Sequence, residues 1–427
     1  MGEWKEYILE DCMDAIIDYR GKTPNKTTSG IPLITAKIIK NGSILPTQEY
    51  IAENDYESWM RRGIPEVGDV LLTTEAPLGE VAQISDPNIA LAQRVITLRG
   101  KKEFLNNDFL KYLLISPQTQ SELAGRSSGT TVLGIKQSEL RKVKLIIPEY
   151  PIQAKIAGIL KSLDDKIELN RKMNETLEEM ARAIFKSWFV DFDPVHAKSR
   201  GEKPAGMPDE IAALFPSEFV HSDQLNKPIP KGWNVKPIGE ISELLNGFAF
   251  KSADYTQEGT FVLRTKNFSN VGSVERLNDD VYLPSIFLET HSKYLCQEFD
   301  FFVVMVGASI GKTSKIFSNC LPALRNQNMW CFRPKKYFTA RFFINCYAET
   351  LIAKNTQIAS GSARDFFRKD YFKKLPLIVP KEKVLHAFEQ QVCYMYEKIG
   401  NNLGEITSLI ALRDSLLPKL ISGEIKV

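Results

Sequence analysis

The amino-acid sequence predicts an α+β protein: two similar mixed α/β domains in tandem, separated by two long helices that form an antiparallel coiled coil. Three observations predict it. Segments recur at a constant offset: Ser128-Gly129-Thr130 returns as Ser360-Gly361-Ser362, and Lys142, Leu145, Ile146 and Pro148 return as Lys374, Leu377, Ile378 and Pro380, each 232 positions on. A period this long marks a duplicated domain, since solenoid repeats run about 20–50 residues. Each copy is followed by apolar residues spaced in steps of three and four, the pattern of a long helix. The chain has 427 residues, 43% hydrophobic and 25% charged, enough for two ordinary globular cores.

Taken in order, residues 1–150 read as the first mixed domain. Short apolar runs such as Val70-Leu71-Leu72 and Val95-Ile96-Thr97-Leu98 are bounded by Gly, Pro, Asn and Asp, as strands are. Phe109 to Ile115 reads as a short helix, and Leu145-Ile146-Ile147 as a strand stopped by Pro148. Pro151 suits a first helical turn. From there the apolar stripe runs Ile152, Ile156, Ile159, Leu163, Met173, Leu177, Met180 and Ile184, with Lys166 and Asn170 counted in the seam. This predicts a central helix over 151–190, roughly 55 Å long. So long a helix is not stable with its seam in water. The second copy supplies a partner stripe over 382–427: Phe388, Val392, Met395, Ile399, Leu403, Ile406, Ile410 and Leu417. Lys166, Asn170, Lys398 and Asn402 are polar seam positions of the kind that fix register. Residues 191–231, rich in Pro and Gly with a short helix over Glu210 to Leu214, read as a linker, and 232–381 as the second mixed domain.

Composition narrows the function. No run of ~18 apolar residues predicts a membrane span, and the charged MGEWKEYILEDC start lacks a secretion core. Glu6 stands where a myristoylation site needs Ser or Thr. The six cysteines are scattered with no Cys-x-x-Cys pair, and none of the four histidines lies near one in sequence, so reduced thiols in the cytoplasm and no zinc site are expected. A net charge of +3 neither demands nor forbids nucleic acid.

Gly307 to Thr313 is similar to a phosphate-binding loop but has Val306 where the pattern needs Gly, and it runs into Ser314-Lys315-Ile316-Phe317, which reads as a strand rather than a helix. A tight turn is expected there. No methyltransferase, dinucleotide or Gly-x-Ser-x-Gly motif is present, so no catalytic residue and no bound cofactor are predicted.

The recurring polar and basic clusters are the candidate DNA-binding residues. In the first copy these are Gln93, Arg94, Ser128, Gly129, Thr130, Lys136, Arg141 and Lys142. In the second they are Gln327, Asn328, Ser360, Gly361, Arg364, Arg368 and Lys374, interleaved with Phe366, Phe367, Tyr371 and Phe372. Lysine, arginine and a glycine turn's N–H groups suit phosphates. Gln, Asn and Arg suit bidentate contacts to base edges.

Several longer segments then point to a family. Ile184-Phe185-Lys186-Ser187-Trp188-Phe189-Val190-Asp191-Phe192-Asp193-Pro194-Val195 resembles the end of the central helix of Type I restriction–modification specificity subunits. Leu416 to Ile425 resembles their C-terminal signature, Pro148 with Pro151 to Ile156 the start of their central helix, and Pro230-Lys231-Gly232-Trp233 the start of their second recognition domain. Lys383 to Gln390 matches the helix-start pattern less well. The resemblance implies two target-recognition domains, each binding half of a split site on double-stranded DNA. It implies a coiled coil acting as a ruler, two DNA adenine methyltransferase subunits docked on this chain, and restriction–translocation subunits completing the complex. S-adenosylmethionine, ATP and Mg²⁺ then belong to those partners. Trp188, Phe189, Phe192 and Leu417 are candidate partner contacts, with packing into the chain's own core as the alternative. Three other readings stay open: the specificity subunit of a Type II enzyme with a fused nuclease–methyltransferase, an enzyme with a cryptic duplicated site, and a scaffold that binds only protein.

Overall fold

A computed structural model describes residues 4–19, 23–40, 42–129, 132–359 and 368–427. The chain divides into two compact units, Met1–Glu168 with Thr407–Val427, and Leu169–Ile406. Each unit holds one mixed α/β domain and one half of each long helix.

The centre of the first unit is a four-stranded antiparallel sheet in the order Met13–Asp18, Val95–Gly100, Val70–Thr74, Leu78–Gln83. Its central strands are rich in apolar residues because both faces are covered, and those side chains alternate between two cores. Val70, Leu72, Ile96 and Leu98 face the helix Asn107–Ile115 and residues Ile156, Leu160, Leu417, Leu420 and Ile421 of the long helices. Leu71 and Val95 face Leu33, Ile34, Ile51 and Leu91 of a smaller sheet, Tyr50–Ile51, Ile31–Ile34, Ala90–Leu91. Lys5–Ile8 pairs antiparallel with Lys144–Ile147. The expected helix at Phe109 starts slightly earlier, at Asn107, because the Asn106 side chain accepts the Phe109 N–H as its N-cap.

The second unit repeats this plan. Its four strands run Ser242–Asn246, Met329–Pro334, Phe301–Val304, Thr313–Lys315 in the same order. Again the faces alternate: Phe301, Val303, Trp330 and Phe332 in one core, and Phe302, Val304, Met329 and Cys331 in another. Thr260–Leu263 pairs parallel with Ala323–Arg325, as Ile31–Ile34 does with Ala90–Leu91. Asn234–Pro237 pairs with Pro376–Val379.

Both long helices span 40 residues, Tyr150–Phe189 and Glu382–Ile421. They pack together and run antiparallel. In the second unit Asn170 Nδ2 donates to Glu405 Oε2 (2.9 Å) and Asn402 Nδ2 to Asn174 Oδ1 (2.8 Å), so numbers rise along one helix as they fall along the other. In the first unit Arg413 Nη1 donates to Asp164 Oδ1 at 2.9 Å. The C-terminal stripe is buried as expected at Phe388, Val392, Met395, Ile399, Ile406 and Leu417. The central stripe differs from expectation. Ile156 and Asn170 are buried as expected, but Ile159 and Met180 are exposed while Leu160, Ile167, Ala181 and Phe185 are buried, so at those places the seam sits one position on from the apolar steps counted in the sequence.

Residues 191–231 also differ from a loose linker. They form the helices Asp193–Ser199 and Asp209–Ala212 and the hairpin Phe219–Ser222 with Lys227–Pro230. Phe192, Val195, Phe215 and Ile229 join the second unit's main core. The Pro and Gly content shapes turns between packed pieces. Among the described residues, no helix is long and apolar enough to cross a membrane.

Candidate nucleic-acid interface

In the first unit a short backbone ladder sets four segments side by side at one end of the main sheet. Thr74 N–H donates to Arg94 O and Ile135 N–H to Thr74 O, both at 3.0 Å, and Ser128 and Gly134 exchange both backbone bonds at 2.9 and 3.0 Å. The loop they close requires glycine at 129. Its φ is +119°, and a Cβ there would stand 2.2 Å from Val132 O. Around this ladder lies a cleft of about 410 Å³, lined by Thr74, Glu75, Gln93, Arg94, Ser128 and Lys136, with Val132 among the rest. Four of the predicted residues, from three separate stretches of sequence, therefore meet in one place. Arg94, Ser128 and Lys136 are exposed and Gln93 is half-buried.

Arg141 and Lys142 lie outside that lining and are engaged with acids: Arg141 with Glu10 (2.5 Å) and Lys142 with Glu139 (2.9 Å), as Lys144 is with Glu6 (2.9 Å). This cluster is more nearly neutral than its lysines and arginines suggest. Exposed pairs of this kind are weak, so a phosphate can compete for them. Thr130 falls outside the described residues.

In the second unit the matching ladder bond joins Met305 N–H to Asn328 O at 3.1 Å. Gln327 and Asn328 are exposed beside Val306, and Asn328 holds a left-handed φ of +74°. Arg368 stands at the N-cap of the helix Lys369–Lys374, as Lys136 does before Gln137–Leu140. Lys374 is exposed, but Phe372 is a core residue packed edge-on against Trp330. Ser360, Gly361, Arg364, Phe366 and Phe367 fall outside the described residues. The loop at Gly307 is a turn leading into the strand Thr313–Lys315. Lys312 donates to Phe268 O and lies 3.4 Å from Asn270 Oδ1, so its ammonium is occupied within the domain.

The expected partner contacts need correction. Trp188, Phe189 and Phe192 are 5%, 1% and 6% exposed and belong to the second unit's aromatic core, where Phe189 meets Phe343 and Phe388, each at 5.0 Å. Leu417, 6% exposed, packs in the first unit's core with Leu420 and Ile156. These side chains hold the domains to the helices, in line with the alternative of packing into the chain's own core.

The sequence did not single out Glu75, Val132 or Leu133. Glu75 directly precedes Ala76-Pro77-Leu78-Gly79, which returns as Ala308-Ser309-Ile310-Gly311 232 positions on, the one signal that could have flagged it. Arg94 Nε lies 3.6 Å from Glu75 Oε2, with both side chains about half exposed. Val132 and Leu133 are 49% and 50% exposed at the tip of the loop. A cleft offering one amide, one guanidinium, one carboxylate, a hydroxyl and an ammonium, beside exposed apolar groups, can hydrogen-bond a polar, anionic polymer and touch its methyl groups. Among the described residues, no group of three or more His, Cys, Asp or Glu could hold a metal ion.

Each domain is anchored to the helix pair by a polar cluster. In the first unit Lys111 Nζ and Tyr112 Oη donate to Asp164 Oδ2 at 2.8 Å, opposite Arg413. Burial pushes the Asp164 carboxyl up, but Lys111, Arg413 and the Tyr112 hydroxyl outweigh it and hold it below the usual range. In the second unit Lys315 Nζ reaches both oxygens of Glu178 at 3.1 Å, beside Tyr396 and Arg182.

Comparison with known proteins agrees with this plan. The Type I restriction modification DNA specificity domain family matches residues 1–179 and 230–394, one match per mixed domain. The chain is 28% identical over 407 residues to the Type I restriction enzyme MjaIX specificity subunit of Methanocaldococcus jannaschii, covering 93% of this chain and 87% of that one. It is 26% identical to the HindI specificity subunit of Haemophilus influenzae, covering all of both chains. The crystal structure of a Type I restriction–modification S subunit from M. genitalium shares the fold with a TM-score of 0.57 at 16% identity, over 98% of this chain and 96% of that one. With two copies of the domain, the shared topology and both long helices accounted for, the chain belongs to the Type I restriction–modification DNA specificity subunits.

Proposed function

We propose that this chain supplies sequence specificity to a Type I restriction–modification complex by reading a bipartite site in double-stranded DNA. Residues 1–150 and 232–381 each read one half. The paired helices, residues 151–190 and 382–427, set the unread gap between the halves. Two DNA adenine methyltransferase subunits dock on this chain, and restriction–translocation subunits join the larger assembly. The chemistry belongs to those partners, which bind S-adenosylmethionine, ATP and Mg²⁺, and this chain contributes recognition without a catalytic step of its own.

The observation that carries the reading is the repetition of one domain plan, each copy matched by the family and each built on its own half of an antiparallel helix pair. Two readers joined by a stiff element favour two short sequence blocks at a fixed spacing. Selection of binding sites from random duplexes by the assembled complex tests this. Two conserved blocks flanking a gap of constant length and unconstrained sequence are expected. A single contiguous block, or no enrichment over the methyltransferase subunits alone, contradicts it.

A further inference from the structure

The ladder bonds give a residue-by-residue match between the two readers. Thr74 N–H to Arg94 O corresponds to Met305 N–H to Asn328 O, so Arg94 matches Asn328, Gln93 matches Gln327 and Glu75 matches Val306. The glutamine is common to both, and the other two positions differ in chemistry. In the first unit a guanidinium and a carboxylate stand together at the rim of the cleft. In the second a carboxamide stands beside an exposed valine, 41% accessible. Arginine makes its favoured bidentate contact with guanine O6 and N7, and a carboxylate accepts from cytosine N4. Asparagine makes its bidentate contact with adenine N6 and N7, and an apolar side chain packs on the thymine methyl.

We infer that Arg94 with Glu75 reads a G·C pair in the half-site of the first unit, and that Asn328 with Val306 reads an A·T pair at the matched position of the other half. This rests on the bipartite reading proposed above. The Arg94–Glu75 pair is long and well exposed, so Arg94 gives up little to turn to a base. Glu75 meanwhile keeps the guanidinium on the rim and repels phosphates that would otherwise capture it.

The test is equilibrium binding of the full chain, assembled with its methyltransferase subunits, to duplexes substituted one base pair at a time. The wild-type complex should show a required G·C pair in one half and a required A·T pair in the other. Arg94→Lys keeps the charge but not the fork, and should lower discrimination at that G·C position roughly tenfold or more while leaving the other half and the gap unchanged. Glu75→Gln should relax the same position and raise affinity for all sequences. The double variant Val306→Glu/Asn328→Arg should convert the required A·T pair to G·C. Both readers' rim residues are exposed, and Arg at position 328 adds only the strain of its left-handed φ, so these variants should fold, which circular dichroism checks. Unchanged preferences in Arg94→Lys, or an equal loss at every position, would overturn the assignment and make Arg94 a bystander or a phosphate contact. A wild-type complex that selects no split site would overturn both this inference and the reading beneath it.

Discussion

Glu389 shows how a single carboxyl ties the C-terminal helix to its domain. It leaves that helix to accept the Phe342 and Phe343 N–H groups (3.1 and 2.8 Å) at the start of the helix Arg341–Ala359. Burial pushes its carboxyl up to about 7, against the pull of those backbone donors. The folded chain therefore binds this proton more tightly than the unfolded chain between about 4.5 and 7, and the contribution of Glu389 to stability falls as pH rises through that window. Glu389→Gln keeps an acceptor and removes the titration. Urea unfolding at pH 5 and pH 7.5 should show the variant gaining on the wild type at the higher pH by up to about 3 kcal/mol; a pH-independent difference would refute the assignment. Lys315 and Glu178 act differently, because both are largely buried and each neutralises the other. Lys315→Met should cost about 3–5 kcal/mol, and Lys315→Met/Glu178→Leu clearly less, since a lone buried charge is worse than none. Equal costs by denaturant unfolding would remove the pair from the anchoring account. At this scale the sequence was partly legible. Correspondence between the two copies pointed to Gln93, Arg94, Ser128 and Lys136, which share a cleft. It could not show that Arg141 and Lys142 are engaged by acids from distant positions, or that Trp188 and Phe189 face inward. Those facts depend on long-range packing.

The helix pair was legible in outline. Two matching apolar stripes predicted partners, and the duplication predicted that their polar seam positions correspond. The frame of the central stripe was less so. Ile159 and Met180 looked like seam residues because each is followed by another apolar residue, Leu160 and Ala181, and only the partner helix decides which of the two is covered. Asn170 and Asn402, both 1% exposed, hydrogen-bond across the seam through their nitrogens to Glu405 and Asn174. Such groups fix register at some expense of stability. If the pair sets the gap, one heptad added between Glu168 and Leu169, matched by one between Ile406 and Thr407, adds about 10 Å of helix. The unread gap in the selected site should then lengthen by about three base pairs, at ~3.4 Å each, with both half-sites unchanged. An unaltered gap would mean that something other than the helices sets the spacing.

Across the whole molecule, the duplication was the feature most plainly written in the sequence, and the two units repeat it in their four-stranded sheet, three-stranded sheet and outer strand pair. What the sequence concealed was the packed character of residues 191–231, whose prolines and glycines read as a linker while their aromatic residues belong to a core. Modularity is the consequence for function. Exchanging residues 1–150 for the corresponding domain of another specificity subunit should replace one half of the recognised site and leave the other half intact. A change in both halves would contradict independent readers.

Direction of methylation to a split site by this chain is read by mapping methylated adenines across the genome of a host that has no adenine methylation of its own. The host would express the chain together with its methyltransferase subunit. One bipartite motif with a methylated adenine in each half and a gap of constant length is expected, absent when this chain is omitted. The same methylation with and without the chain, or none when both proteins are folded and associated, would contradict it.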